Sequence, residues 1–166
     1  APALFRFLRF LLLLPGGDRQ GGLEQLERAG RLGLLGRGEA QFQIHVLYLW
    51  YEHKSKEALA IIRSLQERYP QNPLFRQIEA EILDVYFHDP AASLAASERL
   101  RSLARLRAVV RADIADAAAR LNIARQLIAL QQRDRAIKEL DALIALNPSA
   151  PAGVMARARE LRRALK

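Results

Sequence analysis

Apolar residues recur every three or four positions along most of this chain, which is the spacing of one face of an α-helix. No run of six residues rich in Val, Ile, Thr and aromatics alternates with polar positions, so no β-strand is predicted. Ala, Leu and Arg, which all favour helices, dominate the composition. The pattern therefore predicts an all-α fold, with helices at about residues 2–14, 18–32, 39–53, 56–68, 74–87, 90–108, 111–131, 133–146 and 151–165.

Two stretches of the chain resemble each other, KSKEALAIIRSLQERYP and RDRAIKELDALIALNP. Each places an Ala near its start, continues with apolar residues at helical spacing, and reaches a Pro twelve residues after that Ala. The pairs are Ala58 with Pro70 and Ala136 with Pro148. Pro ends a helix because it has no N–H to donate. The small Ala predicts a point where two helices approach closely.

The same register extends to two further segments. Ala92 lies 34 residues after Ala58, and Gly22 lies 36 residues before it. Asp89 and Pro90 suit a helix start as cap and first helical residue. About ten extra residues precede Ala136, and without Gly or Pro they predict longer helices rather than a loop. Twelve residues before Ala58, Ala92 and Ala136 lie the expected contact positions on the preceding helices: Val46, Ala80 and Ala124.

This pattern of small and large residues with a period of about 34 resembles the tetratricopeptide repeat, a helix–turn–helix unit. The resemblance covers nearly the whole chain as one domain, with units at about 1–34, 39–72, 73–108 and 111–148 and a basic capping helix at 151–165. It implies a right-handed α-α superhelix of antiparallel helix pairs. The third unit lacks the final Pro and the first has Gly in place of Ala, so a plain helical bundle is the alternative.

In such a superhelix the first helix of each unit lines a concave groove, and the resemblance implies that the groove holds a peptide or a partner's helix. The family's lining positions transfer to the second, third and fourth units of this chain. They are Ala40, Gln43, Leu47, Trp50 and Tyr51, then Leu74, Gln77, Glu81, Asp84 and Val85, and then Ala118, Leu121, Arg125, Ile128 and Ala129.

Some of these residues indicate what the groove would accept. Trp50 and Tyr51 are candidate anchors because aromatic residues dominate binding hot spots, although packing between repeats would also explain them. Family members that grip a terminal carboxylate place Lys, Arg and Asn in the groove, and this chain lacks them at the corresponding positions: Gln43, Leu47, Gln77 and Glu81. Glu81 and Asp84 instead favour a basic or neutral partner.

The charge supports a second hypothesis. The net charge is +8, with +2 from residues 1–83 and +6 from residues 84–166. Arginines crowd the stretch before the fourth unit, and four of them could contact nucleic acid or an anionic membrane surface: Arg101, Arg105, Arg107 and Arg111. On one continuous helix they would spread over two faces, and no aromatic residues alternate with them to stack bases. A solvated helix face is the alternative.

Catalytic and metal-binding patterns are missing from the sequence. The chain has no Cys, which excludes disulfides and thiolate chemistry but leaves cytoplasm and periplasm both open. The histidines, at 45, 53 and 88, form no H-E-x-x-H motif, and no glycine-rich phosphate loop is present. We therefore expect a protein that is not an enzyme and has no catalytic residues, metal or cofactor.

The first predicted helix, 2–14, is apolar around most of its circumference. Its uninterrupted apolar run, Phe10 to Leu14, is much shorter than the roughly 20 residues of a membrane span. An end helix of a superhelix has neighbours on one side only, so another copy of the chain, an upstream repeat or a membrane should cover its other side. The chain begins without Met, which leaves a longer protein open. The candidate interface residues are either Phe7, Leu11 and Leu14, on the groove side of the first unit, or Phe5 and Leu12.

Overall fold

A computed structural model describes residues 18–33, 36–146 and 150–165. Within these ranges the chain forms eight α-helices and no β-strand, so the all-α prediction is confirmed. The chain divides into two compact units, with the boundary between Ile44 and His45. The helices are α1 (Arg19–Leu32), α2 (Arg37–Trp50), α3 (Ser55–Arg68), α4 (Pro73–Val85), α5 (Pro90–Arg105), α6 (Ala112–Ala129), α7 (Arg133–Ala145) and α8 (Ala152–Ala164).

These helices begin and end within three residues of the predicted bounds. The predicted first helix, its candidate interface residues and Pro148 lie outside the described residues.

Local hydrogen bonds explain where several helices start. The side chain of Asp18 accepts a hydrogen bond of 2.9 Å from the backbone N–H of Gly21 at the start of α1. Asn72 does the same for α4, and Asp89 for α5, where its carboxylate accepts from the N–H of Ala92 at 2.9 Å. Each cap satisfies a backbone donor that a helix leaves unpaired. The predicted Asp-Pro start of α5 is thus confirmed.

A repeated turn joins the first and second helices of three successive pairs. Two residues before α3, α5 and α7, the chain has a positive φ, of 54° at His53, 52° at His88 and 60° at Gln131. This left-handed conformation reverses the chain at the end of a helix, a position that glycine usually takes. The architecture is therefore repeat-like, with the same turn geometry at the same place in each pair.

The turn corrects the predicted register of α5, the second helix of the third pair, by one residue. The fourth residue of the second helix is Ala58 in α3, Ser93 in α5 and Ala136 in α7. All three are completely buried. Ala92, the predicted key residue, is partly exposed. Ser93 marks the close approach, since its hydroxyl donates a 2.8 Å hydrogen bond to the carbonyl of Ala80 on α4. Ala80 and Ala124 are buried as predicted.

The predicted contact positions nearer the start of the chain are wrong. Gly22 is exposed, and a Cβ placed on it would meet none of the described residues within 4 Å. Gly30 is instead the close contact between α1 and α2, since a Cβ there would lie 3.1 Å from Cδ1 of Ile44. Val46 is partly exposed, whereas its neighbour His45 is buried. No contact with a described residue therefore requires glycine at position 22.

In the second compact unit, each helix from α3 to α8 packs mainly against the next one in sequence, and α6 also touches α4 and α8. Apolar clusters lie between these neighbours. One of them joins α6, α7 and α8 through Ala117, Ala124, Leu140, Leu143, Met155 and Ala158. The helix α8 presents Met155 and Ala158 to this cluster, while most of its arginines are exposed. This polar outer face agrees with the expected character of a final helix.

The extra residues before α7 are accommodated in two ways. The helices α5 and α6 have 16 and 18 residues, against 13 or 14 in the others, as expected. The prediction that no loop would form is wrong, because residues 106–111 connect these helices. Arg107 and Arg111 adopt positive φ values of 54° and 48° there, so arginine takes the role that the sequence pattern would have assigned to glycine.

The burial of Ala58 predicts a large difference between two alanines of one helix. Ala58→Leu should overpack its site and lower the free energy of unfolding by about 1–3 kcal/mol. Ala60→Leu, at an exposed position of α3, should change it by less than about 0.5 kcal/mol. Thermal denaturation followed by circular dichroism checks this. Equal melting temperatures for the two variants would show that position 58 is not a tight contact.

Candidate functional site

One face of α4 carries all five residues that the resemblance transfers to the third unit. Leu74 and Val85 are exposed at the two ends of this face. Between them Glu81 is exposed, whereas Gln77 and Asp84 are partly exposed. The opposite face is buried and holds Phe75, Glu79, Ala80, Ile82 and Leu83. The helical spacing that suggested this face thus separates accessible from buried residues along the whole of α4.

The helix α6 also has an accessible face and a buried face. Its transferred positions are all at least partly exposed: Ala118, Leu121, Arg125, Ile128 and Ala129. Its buried residues are Ala115, Ala117, Ala119, Ile123, Ala124, Gln126 and Leu127. The buried set is larger than that of α4, because α6 packs against α4, α5, α7 and α8.

A cavity of about 200 Å³ lies where these two faces meet. Four of its lining residues were transferred groove positions, namely Gln77, Glu81, Ala118 and Arg125. The other lining residues are Ala80, Ser97, Leu100, Ala119 and Asn122, so α5 contributes to its floor. Pockets for drug-sized ligands measure about 300–1,000 Å³. This cavity, the α4–α6 pocket, is smaller and suits a single side chain.

The polar groups at the floor of the α4–α6 pocket already bond to one another. The amide nitrogen of Asn122 donates to the hydroxyls of Ser93 at 3.1 Å and Ser97 at 2.8 Å. The amide of Gln126 donates to the Asn122 oxygen at 3.2 Å. This network holds α5 against α6 and fixes the floor. An incoming group would therefore interact with the rim of the pocket rather than with the floor.

The rim of the α4–α6 pocket has an uncompensated negative charge. The guanidinium of Arg125 pairs with the carboxylate of Asp84 at 3.2 Å, so α6 and α4 are bridged and these two charges offset each other. The carboxylate of Glu81 is exposed and makes no hydrogen bond or ion pair within the described part of the chain. The side chain of Gln77, next to it on the same face, offers an amide. A positively charged or hydrogen-bond-donating side chain would complement this rim.

The transferred positions of the second repeat unit differ in how exposed they are. Trp50 at the end of α2 and Tyr51 in the following turn are exposed at 65% and 58%, so neither is a core residue. Leu47 is partly buried, and none of these three lines the α4–α6 pocket. Gln43 is exposed and donates a 2.9 Å hydrogen bond to Glu39. Ala40 is buried, so its prediction as a lining residue is wrong.

Of the four arginines in the charge hypothesis, three line one cavity, and Arg101 does not. Arg101 forms a 2.8 Å ion pair with Glu139 and its side chain is only 24% exposed. Arg105 ends α5, and Arg107 and Arg111 belong to the connection that follows, so the expected spread over two faces of one helix is wrong. These three line a cavity of about 640 Å³ together with Arg120, Asp113 and Asp116.

An ion-pair network between α5, α6 and α7 was not visible in the sequence. Glu139 accepts hydrogen bonds from Arg101 at 2.8 Å and from Arg120 at 2.7 Å, and Arg120 also donates to Asp116 at 2.7 Å. Burial alone would lower the pKa of Arg120, but the hydrogen bonds and charges of Asp116 and Glu139 outweigh it and raise this pKa above its ordinary value. Arg120 therefore stays charged and has a structural role.

No cluster of three metal-ligating side chains occurs among the described residues. His53 and His88 occupy the repeated turns, and His45 is buried in α2. In the same part of the chain, no helix combines the length and the apolar character needed to cross a bilayer. The α4–α6 pocket, the exposed aromatics and the arginine-lined cavity are features of this part of the chain that could contact another molecule.

Comparison of the chain with models of protein families, with curated proteins and with solved structures finds no match in any of the three. The resemblance to the tetratricopeptide repeat therefore depends on the spacing of small residues, turns and helices in this chain alone. The function has to be inferred from the same residues.

Proposed function

We propose that this chain is a non-catalytic protein-interaction module whose repeats form a tetratricopeptide-like superhelix with a groove for an extended partner segment. The observation that supports this most is the α4–α6 pocket. Gln77, Glu81, Ala118 and Arg125, which line it, come from two different helices and are transferred groove positions of two repeat units. A groove that runs across the first helices of successive units would have its lining at these positions.

The pocket's size and charge define the segment that it would bind. A cavity of about 200 Å³ receives one side chain and leaves the rest of the segment to lie along the helix faces. The free carboxylate of Glu81 favours Lys or Arg, because opposite charges across an interface steer binding and reject partners of the wrong sign. The small side chain of Ala118 keeps the pocket open. The preferred partner thus places a basic side chain in this pocket.

Trp50 and Tyr51 provide a second contact region in this proposal. Exposed aromatic residues supply large apolar contact areas with few rotatable bonds, which makes them frequent hot spots. With Leu47 they represent the second repeat unit's share of the groove. Apolar side chains of the same partner segment would pack against them. Electrostatic selection at Glu81 and apolar anchoring at Trp50 would then act on different residues of the partner.

Closing the pocket tests the proposal. Peptides are selected from a random display library on the immobilised protein, and their affinity is measured by fluorescence anisotropy. Ala118→Trp should weaken binding of the selected peptides at least about tenfold, since the indole fills the space meant for a partner's side chain. Ala60→Trp, at an exposed site on α3, is the matched control and should have no effect. Equal affinities for both variants would place the binding site elsewhere.

A further inference from the structure

The connection between α5 and α6, residues 106–111, exposes aliphatic side chains to an unusual degree. Leu106 is 78% exposed, more than any other large hydrophobic residue that the structure describes, and Val110 is 55% exposed. The two residues are four positions apart, so their Cα atoms lie within about 14 Å of each other. Exposed apolar patches with a polar rim frequently mark contact sites.

Internal contacts hold this connection in place. Between the two exposed residues, Val109 is buried in a cluster with Leu100, Ala104, Ala115 and Ala119. The backbone N–H of Val110 donates a 2.8 Å hydrogen bond to the carbonyl of Gln71, which lies in the connection between α3 and α4. Ala108 donates to Leu103 at 2.9 Å. Leu106 and Val110 therefore point outward from an anchored loop, because Val109 takes the inward position.

Arginines surround this apolar patch. Arg105, Arg107 and Arg111 are all exposed, and they line the cavity of about 640 Å³ beside the connection. Arg105 and Arg107 have no ion-pair partner within the described residues. Arg111 lies 3.8 Å from Asp113, with both side chains more than half exposed. Asp116, the other acid of the cavity, already accepts from Arg120. The surface beside Leu106 and Val110 is therefore positively charged.

We propose that the connection 106–111 is an interfacial contact for an anionic phospholipid bilayer. Leu106 and Val110 enter the boundary between headgroups and acyl chains, and Arg105, Arg107 and Arg111 bind the lipid phosphates. Aliphatic side chains next to basic ones are what such an interface requires. A single-stranded nucleic acid would instead need aromatic residues for base stacking, and residues 105–111 contain none. This contact goes beyond the proposed peptide groove and uses none of its residues.

Vesicle flotation tests the contact with the full chain. Binding is expected to vesicles of phosphatidylglycerol and phosphatidylcholine but not to phosphatidylcholine alone, and raising the salt concentration should weaken it. Arg105→Gln with Arg107→Gln should reduce partitioning about 25-fold, since each basic side chain beside an anionic leaflet contributes a factor of about 5. Leu106→Ser with Val110→Ser should reduce it about tenfold.

Matched variants separate this contact from general attraction of a basic protein. Lys56→Gln with Lys138→Gln removes two exposed charges from α3 and α7 and should change partitioning less than twofold. Leu32→Ser removes an aliphatic side chain that is 68% exposed from α1 and should also have little effect. Equal losses for the control and loop variants would overturn the proposal. So would an unchanged affinity of the Leu106 and Val110 variant, or arginine-dependent binding of single-stranded RNA that exceeds binding to vesicles.

A fluorescence measurement reports insertion directly. The chain has one Trp, so Trp50→Phe with Leu106→Trp places the only indole in the connection. Its emission should shift to the blue when phosphatidylglycerol vesicles are added, and inorganic phosphate alone should cause no shift. An indole that stays in water while the protein floats with the vesicles would exclude insertion of residue 106.

Discussion

Replacing Leu140 by alanine should lower the free energy of unfolding by about 2–5 kcal/mol. Leu140 is completely buried in α7 and belongs to the cluster that joins α6, α7 and α8. Its neighbours there include Ala117, Ala124 and Met155. Because the surrounding side chains relax only partly when buried methyl groups are removed, the substitution leaves a cavity. The melting temperature should fall by roughly 5–15 °C.

The control for Leu140 is another leucine in a helix. Leu32→Ala in α1 removes the same atoms from a side chain that is 68% exposed, so it should cost less than about 0.5 kcal/mol. Urea denaturation of both variants measures the difference. Comparable losses would mean that α7 does not contribute to a cooperative core with α6 and α8.

Reversing the charge of Glu81 should change which peptides the chain binds. Peptides selected on the wild type are expected to be rich in Lys or Arg, and Glu81→Lys should weaken their binding about 100-fold, because two like charges would then meet at the rim of the pocket. Glu57→Lys makes the same charge change at an exposed position of α3 and should shift affinity less than about threefold. If both variants lose affinity equally, the total charge of the protein determines peptide binding and the pocket does not.

The accessible face of α4 and the helix bounds could be predicted from the sequence because both depend on residues close together in the chain. Asp18, Asn72 and Asp89 cap their helices through donors two or three residues away. The positions that line the α4–α6 pocket follow from the helical period, once the unit boundaries are assigned. Such local signals are sufficient to predict helix bounds and accessible faces even where the small residues depart from the usual repeat.

Features that depend on the conformation of single turn residues could not be predicted from the sequence. Ser93 and Ala92 are both small, and only the geometry at His88 shows that Ser93 occupies the close approach. Similarly, Arg107, two residues after the end of α5, adopts a positive φ where sequence patterns look for Gly. The network around Glu139 joins residues as far as 38 positions apart, which no local spacing reveals.

Methyl-resolved NMR of the alanine-labelled protein tests the central claim most directly. A library-selected peptide is titrated into the sample and each alanine methyl is followed. Ala118 and Ala119 line the α4–α6 pocket, so their methyl signals should shift and saturate with the binding isotherm. Ala60 and Ala152, exposed on α3 and α8, should not shift. A saturated complex in which the Ala118 methyl signal has not moved would contradict a partner-binding pocket between α4 and α6.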